Sequence, residues 1–329
     1  MKRRDFITLL GAAGATCALG WSARPAGRPK RVGVLVGLGN DLEGQIRVLA
    51  LKNRLRDLGW IEGENLQLDV RWSAGEHDRI QAQAKELIAL GPDVLVGASL
   101  PVVAVLQRMT RTIPIIFVIV PDPVRNGVVA NQAEPEGNLT GFSTSDASMG
   151  GKWLETLRGI VPQIKRIGLL SDQESIPRGR RYFSSIEAAA RPFGIEWSHL
   201  SLRGAADIDH ALDSLAREPN SGLIVLPDNL VVRHRQIIVA AAARHRLPAV
   251  YPYRYFAASG GLVSYGIDTV DLYSRAAAYV DRILRGARPA DLPVQEPTKY
   301  ELVINLKAAK VLGFEVPPTL VACANEVIE

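Results

Sequence analysis

The chain reads as an α/β protein of two doubly wound lobes, each a parallel sheet covered by helices on both faces. Three observations predict this. Apolar runs of strand length alternate with helical patterns from Arg31 to Gly286. The runs are apolar throughout, as in sheets buried on both faces, rather than at every second residue. The alternation passes through about five strands, restarts near residue 144, and passes through about five more.

Each element of the first run has its own signal. "RVGVLVGLG" (31–39) is a buried strand ending in glycines, and "DLEGQIRVLALKNRLRDLG" (41–59) is an amphipathic helix stopped by Gly59. "NLQLDVRWS" (65–73) alternates as a strand. "HDRIQAQAKELIALG" (77–91) is the next helix, also ended by glycine. "PDVLVGAS" (92–99) is a strand, and "LPVVAVLQRMT" (100–110) is a helix with Pro101 in its first turn, where a missing N–H is harmless. "IPIIFVIV" (113–120) is an uninterrupted β-branched strand and "NLTGFST" (138–144) a shorter one.

The second run begins with the helix "MGGKWLETLRGIVP" and the strand "RIGLLSD" (166–172). Helix "RRYFSSIEAAARPFG", strand "IEWSHLSL" and helix "ADIDHALDSLARE" follow. Then come strand "SGLIVLPDN" (221–229), helix "VVRHRQIIVAAAARH", strands "PAVYPYR" (248–254) and "GGLVSYGI" (260–267), and helix "DLYSRAAAYVDRILRG" (271–286). The join at 138–150 holds Gly, Ser and Thr but no long tether, which suits hinge motion. Lobe 1 is therefore assigned to residues 31–143 and lobe 2 to 144–267.

Residues 1–23 stand apart. Lys2, Arg3 and Arg4 make a cationic start, and Phe6 to Ala23 carries no charge. A positive start, a short apolar core and small residues behind it match an export signal. Arg3-Arg4-Asp5-Phe6-Ile7 resembles the twin-arginine type, which implies a periplasmic protein. The remaining residues, about 300, suit two lobes of roughly 150 better than one core. Hydrophobic residues at 47% and charged residues at 22% fit a globular chain, and aromatics are sparse at 6%. Of the net charge of +5, Lys2, Arg3 and Arg4 against Asp5 carry +2. The other arginines are dispersed apart from "RGRR" (178–181) and two "RHR" runs, so a nucleic-acid partner is not expected. With Cys17 lost in the signal, Cys323 is the one thiol left, which excludes an internal disulfide and a cysteine-rich metal site.

No catalytic signature is present. Gly37-Leu38-Gly39 is followed by Gly44, two places late for a dinucleotide fingerprint. There is no Walker A sequence, H-E-x-x-H or G-x-S-x-G, and the five histidines are scattered. The sequence thus predicts no enzyme, no cofactor and no metal. What remains are the strand ends, because open parallel sheets bind ligands outside the carboxyl ends of their strands. Doubly wound, Rossmann-like lobes place Asn40, Ser99, Leu100, Asp122, Thr144, Asp228, Tyr253 and Tyr265 there. Ser99 is placed to cap the following helix or to leave its N–H groups to a ligand carboxylate. Asp122 and Asp228 suit an ammonium, and Tyr253 and Tyr265 a flat or apolar group. Asp-Pro at 122–123 and Pro-Asp-Asn at 227–229 are equally good turn signals.

Longer stretches carry a resemblance: "LRDLGWIEGENLQLDVRWSAG" (55–75), "IPIIFVIVPDPVRNGVV" (113–129), "GNLTGFS" (137–143), "ASGGLVSYGID" (258–268), "YVDRILRGARPADLPVQEPTKYELVINLKAAKVLG" (279–313) and "ANEVIE" (324–329). From Arg31 to Glu329 the chain resembles the substrate-binding proteins of ABC transporters, in the family with the proposed TrpX-type tryptophan and tyrosine binders. The resemblance implies the type I periplasmic-binding fold, two lobes joined by three crossing strands. It implies a small-molecule ligand, an amino acid among the candidates, closed in the cleft and delivered to an inner-membrane permease driven by a cytoplasmic ATPase. The third crossing assigns residues 268–329 mostly back to lobe 1. An exported sensory module and a two-lobed enzyme are the alternatives.

Overall fold

The computed structural model describes residues 28–329 except 145, 174 and 175, with side chains outside 174–181. The proposed export signal and the "RGRR" run lie outside those described side chains. The first lobe runs β1 (Lys30–Val36), α1 (Leu42–Asp57), β2 (Leu66–Trp72), α2 (His77–Ala89), β3 (Val94–Ala98), α3 (Leu100–Met109), β4 (Ile115–Val120) and β5 (Leu139–Ser143). Its strands form one parallel sheet in the order β2-β1-β3-β4-β5.

The second lobe opens with α4 (Met149–Ile160), β6 (Arg166–Asp172), α5 (Ile176–Ala190), β7 (Glu196–Leu202), α6 (Ala206–Ala216) and β8 (Ser221–Val225). It continues through α7 (Asn229–Arg233), α8 (Arg235–Arg244), β9 (Ala249–Tyr251), α9 (Arg254–Ala258) and β10 (Val263–Ile267). The helix expected over 231–245 is two helices, divided where His234 leaves helical geometry at φ −100 and ψ 20.

The C-terminal course corrects one expectation. α10 (Thr269–Leu284) does return to lobe 1 and packs along α1, with Leu272, Tyr273, Ala276, Ala277 and Val280 in the core shared with Val48, Leu51 and Leu55. The remainder does not stay there. β11 (Tyr300–Asn305), α11 (Leu306–Leu312), α12 (Pro318–Ala322) and β12 (Glu326–Ile328) go to the second lobe, whose sheet has the order β12-β11-β10-β9-β8-β6-β7. The physical reason is the apolar face of β11. Leu302 and Ile304 complete the core beside Ile224, Val250 and Val263, and β11 pairs antiparallel with β10. The other described strand pairs of this sheet are parallel, so the short apolar run "LVIN" enters the sheet from the reverse direction, with β12 beside it as the edge strand.

Strand alternation divides each lobe into two cores. In β1, Val34 and Val36 face α1 and α10, while Leu35 faces α2 and α3. In lobe 2 one core lies beneath α4 and α5 and the other beneath α6 and α8. Three segments cross between the lobes side by side. Ser143 N donates to Gln295 O and Gln295 N to Gly141 O, tying the first crossing to the third. Asp268 N donates to Lys299 O, tying the second to the third. Tyr300 Oη donates to Asp146 at 2.7 Å across the same hinge, and burial, with the carboxylate's hydrogen bond second, raises the Tyr300 phenol's pKa.

Candidate functional site

The carboxyl ends of both sheets meet at one cavity of about 710 Å³. From lobe 1 the ends of β1, β3 and β4 reach it at Val36–Gly39, Ala98–Leu100, and Ile119 with Pro121, and from lobe 2 the ends of β8, β9 and β10 reach it at Leu226–Asn229, Pro252–Tyr253 and Gly266–Ile267. Parallel strands point their carboxyl ends the same way, so joining two such sheets at a hinge creates this facing arrangement.

The lobe 1 wall is strained where it meets the cavity. Ser99 adopts φ 89 and ψ 152, a region used almost only by glycine, and Ile119 adopts φ 56. Ile119 lies in a register shift of β4 between Phe117 and Val120. Gly37 is required beside Ser99: a Cβ there would lie 2.5 Å from Ser99 Oγ and 2.9 Å from Ala98 O. Ser99 precedes α3 without giving that helix a side-chain cap.

The same wall holds Arg47, from the buried stripe of α1 with Gly44, Val48, Leu51 and Leu55. Arg47 is 4% exposed, and its Nε and Nη2 meet no acceptor among the described residues. Its guanidinium stands 5.3 Å from the centroid of the Tyr255 ring. Tyr273 of α10, fully buried and also lining the cavity, has a hydroxyl without a partner among the described residues; burial pushes its pKa up to about 12.

The lobe 2 wall is aromatic and better satisfied. Trp153 and Tyr182 lie 5.0 Å apart, centroid to centroid, and Trp153 Nε1 donates to Tyr265 O at 2.7 Å. Tyr253 and Tyr255 stack at 5.4 Å. Burial raises both phenols, Tyr255 to about 12 with Arg47 opposing the rise, and Tyr253 further. Asp228 caps α7, accepting from Val231 N through Oδ1 and from Asp172 N through Oδ2, each at 2.8 Å. Burial pushes its carboxyl up to about 6, against those two hydrogen bonds.

Contacts cross the mouth. Arg235 Nη2 donates to Asp41 Oδ2 at 2.7 Å, while Asp41 Oδ1 caps α1 through Gly44 N. Arg233 donates to Gly75 O, and Arg254 bridges Glu43 of lobe 1 and Glu326 of β12. Among the described residues no group of three or more His, Cys, Asp or Glu stands together to share a metal ion. No described helix is long and apolar enough to cross a membrane.

Of the residues expected at the site, the structure brings Ser99, Leu100, Thr144, Asp228 and Tyr253 to the cavity wall. It does not bring Asn40, Asp122 or Tyr265 there. Asn40 is exposed and accepts from Gln45 Nε2 at 3.0 Å. Asp122 sits in a turn at φ 43 and accepts from Arg125 N at 3.2 Å. Tyr265 lies two residues inside the strand, so alternation turns its ring into the lobe 2 core, stacked on Tyr300. Arg47, Trp153, Tyr182, Tyr255, Tyr273 and Arg235 line the cavity without having been singled out by sequence reasoning. One signal was available for Arg47: a charge on the apolar stripe of an amphipathic helix.

Comparison with known proteins places this geometry. The model of the family described as "ABC transporter substrate binding protein" matches residues 32–328. A tyrosine-binding protein of Clostridioides difficile (strain R20291) is 26% identical over 261 residues, 79% of this chain and 74% of its own. A Streptococcus pneumoniae ABC domain, solved in complex with L-Trp, superposes with a TM-score of 0.81 at 24% identity, covering 91% of this chain and 100% of that one. A conserved domain protein from Vibrio cholerae gives 0.81 at 27% identity over the same shares.

Proposed function

The chain belongs to the ABC transporter substrate-binding protein family, and from that membership we propose that it captures an aromatic amino acid between its lobes and delivers it to a membrane permease. The observation that carries the reading is the cavity itself, built from strand ends of both lobes and bridged at its mouth by Arg235 and Asp41. A ligand touching both walls stabilises the bridged arrangement over the separated one by its differential contacts. The volume suits a small molecule. Trp153, Tyr182, Tyr253 and Tyr255 offer a flat apolar ring faces and edges to pack on. The tyrosine-binding relative and the structural neighbour with L-Trp support the same ligand class.

We read the role as binding, because the family is one of substrate-binding proteins and the wall offers aromatic faces and hydrogen-bond donors to a ligand. The handover partner is a permease with its ATPase, reached after export to the periplasm under the direction of the Arg3-Arg4 segment by the twin-arginine route. The test is a thermal-shift panel on the exported form, with L-tryptophan, L-tyrosine and L-phenylalanine against glycine and a polyol. At a hundred times its Kd a ligand adds about 2.7 kcal/mol of stability, a clear rise in midpoint. Scattering should then show a smaller radius for the bound protein. No shift with any amino acid, and one envelope throughout, would reject the reading.

A further inference from the structure

Arg47 is out of place as a structural residue. A guanidinium removed from water normally has a carboxylate or several carbonyls around it. Arg47 has the face of Tyr255 at 5.3 Å, but no acceptor for Nε or Nη2 among the described residues. These two nitrogens share one edge of the guanidinium plane, and their N–H bonds run parallel. That edge matches the two oxygens of a carboxylate. The Tyr273 hydroxyl, from the helix packed against α1, is a third buried donor at the same cavity without a partner among the described residues.

The other charges of the wall are engaged. Arg235 is paired with Asp41, Arg233 with the Gly75 carbonyl, and Glu76 with Arg79 at 3.5 Å. Asp228 holds two main-chain N–H groups. The unmet demand is therefore for an acceptor, and no free acid stands ready for a ligand cation among those groups. Two fork nitrogens and one hydroxyl suit a carboxylate in an otherwise aromatic and aliphatic cavity. A phosphate or sulfate would leave more oxygens desolvated and unbonded.

We infer that Arg47, with Tyr273 beside it, is the receptor for the carboxylate of the captured ligand, and that this cavity selects molecules by that group rather than by their ammonium. The inference rests on the capture reading above and specifies its chemistry. It separates ligand recognition from folding. Replacing Arg47 by an apolar residue of similar length removes a buried charge that the ligand-free fold satisfies only in part, through Tyr255.

The experiment is calorimetric titration with matched probes: L-tyrosine, 3-(4-hydroxyphenyl)propanoate, L-tyrosinamide and tyramine, with the tryptophan series alongside. In the wild type both carboxylates should bind, and the amide and amine should bind at least about 100-fold more weakly. Arg47→Met should weaken the carboxylates by about 100-fold, bring acid and amide within about threefold, and raise the melting midpoint of the ligand-free protein. Arg47→Lys, which keeps the charge and loses the fork, should fall between. Tyr273→Phe should cost the carboxylates about tenfold without moving the amides. An amide bound as well as its acid would overturn the inference. So would Arg47→Met keeping the acid preference, or lowering the midpoint with that preference intact. A polyol or amine that binds and compacts the protein would refute the carboxylate receptor while leaving capture standing. Failure of every probe to bind or compact the wild type would reject both.

Discussion

Arg47, buried, and Asp228, half-buried, are two charges on opposite walls of one cavity, and the fold treats them differently. Asp228 accepts from two main-chain N–H groups, caps α7 and holds the end of β6. Arg47 has two donors that nothing described in the protein accepts. The first is a folding device that happens to face the cavity. The second has no evident use to the fold, and its position makes sense if an acceptor arrives from outside. The contrast teaches that a polar residue at a strand end is not for that reason a ligand contact. The discriminating feature is whether its hydrogen-bonding capacity is already used.

The comparison can be broken most directly at Asp228. Asp228→Ala leaves the N–H groups of Asp172 and Val231 without their acceptor and removes a helix cap. We expect a loss of about 2–4 kcal/mol in urea unfolding, before any effect on affinity. An unchanged midpoint would show that those bonds carry no weight and return Asp228 to the list of ligand contacts.

Its titration gives a second, smaller effect. Burial raises the folded-state pKa of Asp228 from 3.8 to about 6, so the folded chain holds this proton more tightly than the unfolded chain. That contribution is complete below pH 4 and is lost as pH rises through 6. Relative to Asp228→Asn, the wild type should lose on the order of 2 kcal/mol across that window. A constant difference between the two from pH 4 to 7 would contradict the shift. Smaller again is the bridge at the mouth. Arg235→Met removes the ion pair to Asp41, which is partly solvated. Ligand affinity should fall about fivefold, near 1 kcal/mol, with a faster off-rate in stopped flow. Equal affinity would mean that the lobes are held by the ligand alone.

Much of the fold was legible because buried parallel strands have a plain signal. "RVGVLVGLG" and "IPIIFVIV" are apolar whatever packs against them, and the glycines after the first helices fix their ends. The last strands were not legible in the same way. "YELVIN" is a short half-apolar run, and nothing local says that it returns to lobe 2 and pairs antiparallel with β10. The site divided along a similar line. Strand ends are local features, and five of the eight residues read from them reach the wall. Trp153, Tyr182 and Tyr255 come from helices whose orientation depends on the second sheet, and Tyr273 on a crossing back to the first. Tyr265 failed by one step of strand alternation, since its neighbour Gly266 lines the cavity. Arg47 alone had a local signal that went unused, a charge spaced with Val48, Leu51 and Leu55 on one helical face.

Ser99 sharpens the contrast at its smallest scale, because it is a second residue of the lobe 1 wall that the fold holds at a cost. Its φ of 89 and ψ of 152 fall where a side chain costs about 1–3 kcal/mol, and its hydroxyl gives α3 no cap in return. Ser99→Gly should therefore raise the unfolding midpoint, the relieved strain exceeding the added flexibility of the unfolded chain by about 0.5–1 kcal/mol. Ser99→Ala keeps the strain and removes only the hydroxyl. If that hydroxyl meets the ligand, both variants should lose about two- to threefold in affinity, while their stabilities move apart. The paired measurement separates backbone from side chain at one position. Should Ser99→Gly melt no higher than the wild type, the strained turn is a property of the fold. Arg47 and Tyr273 would then be the features of this wall whose free donors point to a ligand.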